Sequence, residues 1–475
     1  MVQPAPRPES AGAKVIPIKE TSLYEAQRKI YARSVSGTFA NWRWAMVWIT
    51  QAIFYGLCWL PWNGRQAVLF DLVERKFYIF GLVFWPQDVF YLAVLLIISA
   101  LALFLFTAVA GRLFCGYACP QTVYTEIFMW VEKLFEGDRA ARMKLDAAPL
   151  TGNKLARKGA KHAVWIVIGL WTGFTFVGYF TPIKTLAGSV LSWQLGPWET
   201  FWICFYGFAT WGNAGFMREQ VCKYMCPYAR FQGVMFDPDT LIVTYDAERG
   251  EPRGARAKKA DHKAAGKGDC VDCGICVQVC PTGIDIRNGL QYECIGCSAC
   301  IDACDQVMDK MAYPRGLIRY STEHALAERW GRGQILAHIL RPRTLVYGAI
   351  LSAIVAAAAA GLALRQPLKV DVIRDRTTLA REVEGGLVEN VYRLQIMNLA
   401  EAPRRFALAV TGLPGVRIAS EQIVEVAPAA TQAVAVRVRV EPDAGKRGSN
   451  PIHFEVRAIN HDEVFVREKA SFLLP

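Results

Sequence analysis

Twelve of the fourteen cysteines in this 475-residue chain fall in four tight groups. The densest reads Cys270-x2-Cys273-x2-Cys276-x3-Cys280-Pro281, and a second copy follows as Cys294-x2-Cys297-x2-Cys300-x3-Cys304. A [4Fe–4S] cluster takes four soft thiolates at the corners of a cube, three of them from one tight loop. In doubled runs the fourth Cys serves the other cluster. The spacing therefore predicts one cluster on Cys270, Cys273, Cys276 and Cys304, and another on Cys294, Cys297, Cys300 and Cys280. Gly274, Gly283 and Gly296 suit close backbone approach around the cubes. The second run departs from the first, with Asp305 where Pro281 would repeat. Zinc knuckles are the alternative, but a zinc ion needs only four ligands and leaves the doubled run unexplained.

Two further groups share another pattern. Cys115-x3-Cys119-Pro120 and Cys222-x3-Cys226-Pro227 each carry a central tyrosine, Tyr117 and Tyr224. On a helix, a spacing of four puts both sulfurs on one face. Each motif follows an apolar stretch, which reads as an internal duplication of two spans plus one motif. Pseudo-symmetry would gather Cys115, Cys119, Cys222 and Cys226 into one site. That site could take copper, a further cluster, or a dithiol–disulfide cycle; two inert structural turns are the bland alternative. Cys58 and Cys204 lie within apolar stretches and read as packing residues.

These cysteines need elements to position them. The chain is 53% hydrophobic with 14 Trp, yet 20% charged with a net charge of +12. That mixture divides the chain between lipid and water. Five stretches approach the ~20 residues of a membrane span: Trp44–Leu60, Val89–Val109, Ala163–Ile183, Trp198–Phe216 and Leu345–Ala363. Lys and Arg number seven in residues 1–43, three in 61–88, nine in 111–162, one in 184–197 and eighteen in 217–344. The alternation places the N-terminus and all four cysteine groups on the cytoplasmic side. An odd number of spans puts the C-terminus in the periplasm. No cleavable signal peptide is evident in the polar, basic first 40 residues.

The expected organisation is a cytoplasmic tail over 1–43 and a four-helix membrane domain with both C-x3-C-P motifs over 44–246. A basic linker (247–268), a ferredoxin-like domain (269–344) and a fifth span (345–363) follow. Residues 365–475 alternate apolar and polar with period two, as in Val434, Val436, Val438 and Val440. About seven short strands between Gly/Pro turns predict an immunoglobulin-like β-sandwich. The basic linker reads as solvated or facing lipid headgroups, and no nucleic-acid partner is expected. Nothing marks a site for NAD or FAD.

Four spans with two C-x3-C-P motifs, two ferredoxin runs, a fifth span and an outer sandwich resemble the CcoG/FixG (RdxA) family. Membrane ferredoxins of the NapH kind share the first part, but lack the fifth span and the sandwich. The resemblance implies an accessory protein of cbb3-type cytochrome c oxidase in the bacterial cytoplasmic membrane. It implies an oxidoreductase that turns Cu(II) into Cu(I) for oxidase assembly, with copper ions and a copper chaperone or assembly factors as partners and an electron donor the sequence does not name. It also implies cluster ligation by the eight ferredoxin cysteines and a functional role for Cys115, Cys119, Cys222 and Cys226. A quinol-linked electron conduit and a redox-sensing regulator are the competing readings.

Overall fold

The computed structural model describes residues 29–258, 264, 266–375 and 380–475. Residues 1–28 of the expected tail, and 259–263 and 265 of the linker, lie outside the described residues.

Helices stand on all five apolar stretches: Thr38–Gly56, Val89–Ala110, Gly152–Val177, Pro197–Gly212 and Pro342–Ala363. Three are long and apolar enough to cross a membrane: Pro86–Ala110 (counting its leading turn), Gly152–Val177 and Pro342–Ala363. The other two differ for separate reasons. Thr38–Gly56 mixes Asn41, Arg43 and Gln51 among its apolar residues. Pro197–Gly212 has 16 residues, about 24 Å at 1.5 Å per residue, and then changes into a π-helical turn over Asn213–Met217. Proline opens the helices at Pro120, Pro197, Pro227 and Pro342, where its missing N–H costs nothing.

Glycines let two of these helices touch. A Cβ on Gly169 would lie 2.7 Å from the Gly207 carbonyl oxygen, and one on Gly173 would strike the Ile203 carbonyl. Such small residues allow close helix approach within a membrane, where association depends on packing rather than on water. Gly173→Leu is therefore expected to destabilise the membrane domain by at least about 1–3 kcal/mol through overpacking. A lowered unfolding temperature in detergent micelles checks this, and an unchanged one contradicts it.

The two ends of helix Val89–Ala110 hold different partners, about 33 Å apart over 22 residues. At its start, buried Asp88 pairs with Arg365 and Lys369 at the root of the C-terminal domain. The hairpin before it also reaches that domain: Arg65 pairs with Glu401, while Val83 and Trp85 pack on Met397 and Leu399. At its end, the chain enters the first C-x3-C-P motif and meets the ferredoxin unit.

The C-terminal domain is the expected sandwich. One sheet has strands Arg417–Ile418, Thr431–Val440, Leu387–Asn398 and Leu368–Arg374 in that order, with Arg381–Val383 also pairing to Leu387–Asn398. The other runs Ile423–Val426, Arg404–Thr411, Gly448–Ala458, His461–Leu474. All pairings are antiparallel. Val436, Val438 and Val440 point into the core with Tyr392, Phe406, Phe454 and Phe472, as the period-two pattern requires. Nine strands occur among the described residues against about seven expected. Among the nine, Arg381–Val383 and Arg417–Ile418 are edge strands of three and two residues, too short to leave a periodic signature.

Candidate metal centres

The two ferredoxin loops repeat each other in backbone as well as in sequence. Asp272 and Gly274 of the first have positive φ, 50° and 64°; Gly296 and Ser298 at the matching positions of the second have 67° and 61°. These left-handed residues turn successive sulfurs toward one point. The helix after the first loop is short, Ile275–Gln278, and ends before Pro281. After the second loop the helix runs on as Ala299–Met311. Asp305 in place of proline permits that extension, and its carboxylate accepts the Gly316 N–H at 2.9 Å. Strand Ile242–Tyr245, which precedes the basic linker, pairs with Ile318–Ser321 across the back of the unit.

Two cavities open between the loops. One is lined by Cys270, Cys273, Cys276 and Cys304. The other is lined by Cys276, Cys280, Cys294, Cys297 and Cys300. Each crossed set read from spacing lines one cavity, and Cys276 lines both. Burial pushes the Cys276 thiol up to about 11 and those of Cys297 and Cys304 up to about 12. Iron loading must therefore displace protons. Among the described residues, no three Cys, His, Asp or Glu side chains stand at single-ion spacing, as sulfurs bonded at about 2.3 Å to one zinc would. An all-thiol donor set around two cavities fits a pair of [4Fe–4S] cubes.

The C-x3-C-P motifs are helix starts. Cys119 is the residue before helix Pro120–Glu136, and Cys226 precedes Pro227–Met235. Cys115 sits on the short helix Leu113–Tyr117, and Cys222 on the π-helical turn Val221–Met225. The four thiols lie near one another, each acting electrostatically on the other three, but no three of them stand at single-ion spacing. Burial raises Cys115 to about 11 and Cys222 to about 12. Burial raises Cys119 as well, against the Gln121 and Thr122 N–H groups at its helix start. Gln232, fully buried on the second helix, places both amide atoms 3.4 Å from the Cys115 sulfur. The two motifs are thus laced together. Their tyrosines part ways: Tyr117 turns toward Ser298 and Tyr320, whereas Tyr224 is exposed.

The reason is that the ferredoxin unit sits on the first motif. A Cβ on Gly116 would lie 2.8 Å from the Gly296 carbonyl oxygen and 2.9 Å from the Cys297 Cα and N. Glycine is required where the two backbones meet. Arg43, at the start of the first long helix, donates to the Cys297 carbonyl at 2.7 Å. Asp302, between Cys300 and Cys304, accepts the Phe39 and Ala40 N–H groups at 3.1 and 2.7 Å. It thereby satisfies orphan donors of that helix. Residues ahead of the helix join both sides, with the Arg33 N–H on the Gln278 carbonyl at 2.8 Å and the Ser34 N–H on Asp138 at 3.0 Å.

Comparison with known proteins agrees with this layout. Residues 217–323 match a family described as a 4Fe-4S dicluster domain, and residues 92–137 match a 4Fe-4S binding domain. Residues 358–475 match the Ig-like fold at the C-terminus of FixG. The nitrogen fixation protein FixG of Rhizobium meliloti is 40% identical over 454 residues, covering 89% of this chain and 85% of FixG. The chain belongs to the CcoG/FixG (RdxA) family. Protein RdxB of Cereibacter sphaeroides is 41% identical over 82% of this chain and 83% of RdxB. RdxA of the same organism is 39% identical over 83% of this chain and 85% of RdxA.

This FixG-family chain is a multi-domain membrane iron–sulfur redox protein with an Ig-like C-terminal domain. Sequence reasoning named all twelve clustered cysteines but not the residues that join their sites: Arg43, Arg112, Gly116, Gln232 and Asp302. Two of these left a signal. Arg43 interrupts an apolar run, and Gly116 sits inside a cysteine motif. Arg112, Gln232 and Asp302 look like ordinary surface residues until the fold buries them.

Proposed function

We propose that the chain is a cupric reductase that supplies Cu(I) for assembly of a cbb3-type oxidase. The ferredoxin cysteines hold two clusters in the crossed sets, and Cys115, Cys119, Cys222 and Cys226 form the site where electrons leave. The observation that carries this reading is the contact of Gly116 with Cys297, which puts the first C-x3-C-P motif against a cluster ligand. Cu(II) prefers nitrogen and oxygen, Cu(I) prefers sulfur. A one-electron donor beside soft thiols reduces the ion, and retention of Cu(I) requires the thiols to draw together from the wider spacing seen here. Cu(II) gains one electron and the ferredoxin unit is oxidised by one. The Lys/Arg alternation supports a cytoplasmic site and a periplasmic sandwich, with copper carriers or assembly factors as acceptors of Cu(I).

A second reading has its own support. Residues 92–137, which include Cys115 and Cys119, match a 4Fe-4S binding domain. On this reading the four thiols hold a further cluster, which passes the electron on. About eight iron atoms per chain go with the first reading and about twelve with the second.

The test uses protein purified without oxygen, reduced with dithionite and freed of excess reductant. Added Cu(II) is expected to yield Cu(I), detected with a Cu(I)-specific chelator, as the paramagnetic signal of the reduced clusters disappears in step. Equal rates from a variant lacking all eight ferredoxin cysteines would assign the chemistry to free thiols and sink the proposal.

A further inference from the structure

The two ferredoxin loops lie in unequal electrostatic surroundings, with the more deeply buried cation beside the second. Beside the second stands Arg112, 8% exposed. Its guanidinium donates to the carbonyls of Tyr292, Cys294 (3.3 Å) and Ala229 (2.7 Å). Among the described residues it forms no ion pair. Its charge acts on Cys294 of the second loop and equally on Cys115 and Cys222 of the four-thiol site. Arg43, 6% exposed, adds a second cation at the Cys297 carbonyl, with Glu126 4.0 Å from its Nε. Asp302, the nearer acid on the ferredoxin side, is engaged by the Phe39 and Ala40 N–H groups. Beside the first loop stand two cations: half-buried Arg256, which donates to the Cys270 carbonyl at 3.4 Å, and Arg287, which two carboxylates match, Asp285 at 2.7 Å and Asp272 at 2.5 Å. Asp305 adds a further negative charge next to Cys304. Exposure is uneven within the first set: Cys273 is exposed while Cys270 and Cys276 are buried, and all four cysteines of the second set are half-buried.

A buried cation without a counter-ion is costly to a protein unless negative charge arrives in its vicinity. A four-thiolate site that gains an electron supplies that charge. We propose that Arg112, assisted by Arg43, raises the reduction potential of the cluster held by Cys280, Cys294, Cys297 and Cys300 above that of its neighbour. Electrons then enter on the exposed Cys273 side, pass inward one at a time, and reach the four-thiol site. Clusters held by the two cysteine sets would supply one-electron transfer between them, and Arg112 would favour the electron on the set it adjoins. Arg112 acts as a positioning residue for charge: its hydrogen bonds go to backbone carbonyls, and its guanidinium lies over the Tyr292 and Phe236 rings. The direction of flow rests on the reading of the four thiols as the electron exit; the inequality of the clusters does not.

The experiment is a redox titration of the anaerobically purified full chain, followed by electron paramagnetic resonance. Signals are assigned with Cys273→Ser and Cys297→Ser, each of which removes one of them. The Cys297-dependent signal is expected to titrate at the higher potential. Arg112→Gln is expected to lower its reduction constant at least tenfold, 59 mV for one electron, and to leave the other signal in place. Arg112→Lys, which keeps the charge, is expected to restore most of the shift. If Arg112→Gln does not load iron, Arg43→Gln is read in its place, with a smaller shift in the same direction. A Cys297-dependent potential at or below the other overturns the proposal, as does a substitution that moves both signals equally or neither. Copper reduction is not part of the readout, so failure of the cupric-reductase reading leaves a distinct result.

Discussion

A chain carrying Cys300→Ser retains about four iron atoms in its ferredoxin unit in place of about eight, by the count of four irons per cube. Cys300 lies on the first turn of helix Ala299–Met311, inside the cavity it shares with Cys280, Cys294 and Cys297. Burial raises its thiol well above the ordinary value, with the neighbouring thiols adding to the effect. A serine hydroxyl there is a harder, far less acidic donor and is a poor substitute for a soft thiolate. Cys276 lines this cavity and the other one, and on the crossed assignment it belongs to the other set. On that assignment the surviving cluster keeps Cys304 as its fourth ligand. Iron analysis with electron paramagnetic resonance on protein purified without oxygen decides the matter. Retention of all the iron, or loss of all of it, would contradict two separate crossed sets. Copper reduction by this variant is expected to fall to the level of free thiols, because the cluster next to Gly116 is gone.

Gly116→Val tests the junction without touching a ligand. The new Cβ would lie 2.8 Å from the Gly296 carbonyl oxygen and 2.9 Å from the Cys297 Cα, and backbone on both sides leaves no flexible group to yield. The motif and the second loop must part by something near an ångström. Electron transfer slows as the gap between donor and acceptor widens, so Cu(I) formation is expected to slow severalfold while iron content stays near wild type. Gly159→Val is the control, because a Cβ there meets nothing within 4 Å. A Gly116→Val protein that reduces copper at the wild-type rate would mean that electrons leave by another route.

The cysteine runs were legible because cluster ligation constrains residue type and spacing within a dozen residues. The same holds for the period-two pattern of Val434 to Val440, where one face of each strand must be apolar. The family followed from the order of these pieces. Arg112 illustrates what could not be read. In the sequence it is one of nine basic residues between 111 and 162, explained well enough by retention of positive charge at a membrane surface. Only folding places it under the carbonyls of Tyr292, Cys294 and Ala229, residues 117 to 182 positions away.

The sequence by itself determined the cysteine spacing, the apolar stretches and the class of each domain. These depend on local chemistry and on periodicities of two and 3.6 residues, which a linear chain carries in full. Tertiary structure alone decided that the two C-x3-C-P motifs lie side by side, joined by Gln232. It also decided that Gly116 lies against Cys297, and that Arg112 is buried beside Cys294. Those facts depend on contacts between segments more than 100 residues apart, such as Gln232 with Cys115 and Arg43 with Cys297. Which buried charge ends up beside which thiol is fixed by packing, and packing leaves no regular trace along the chain.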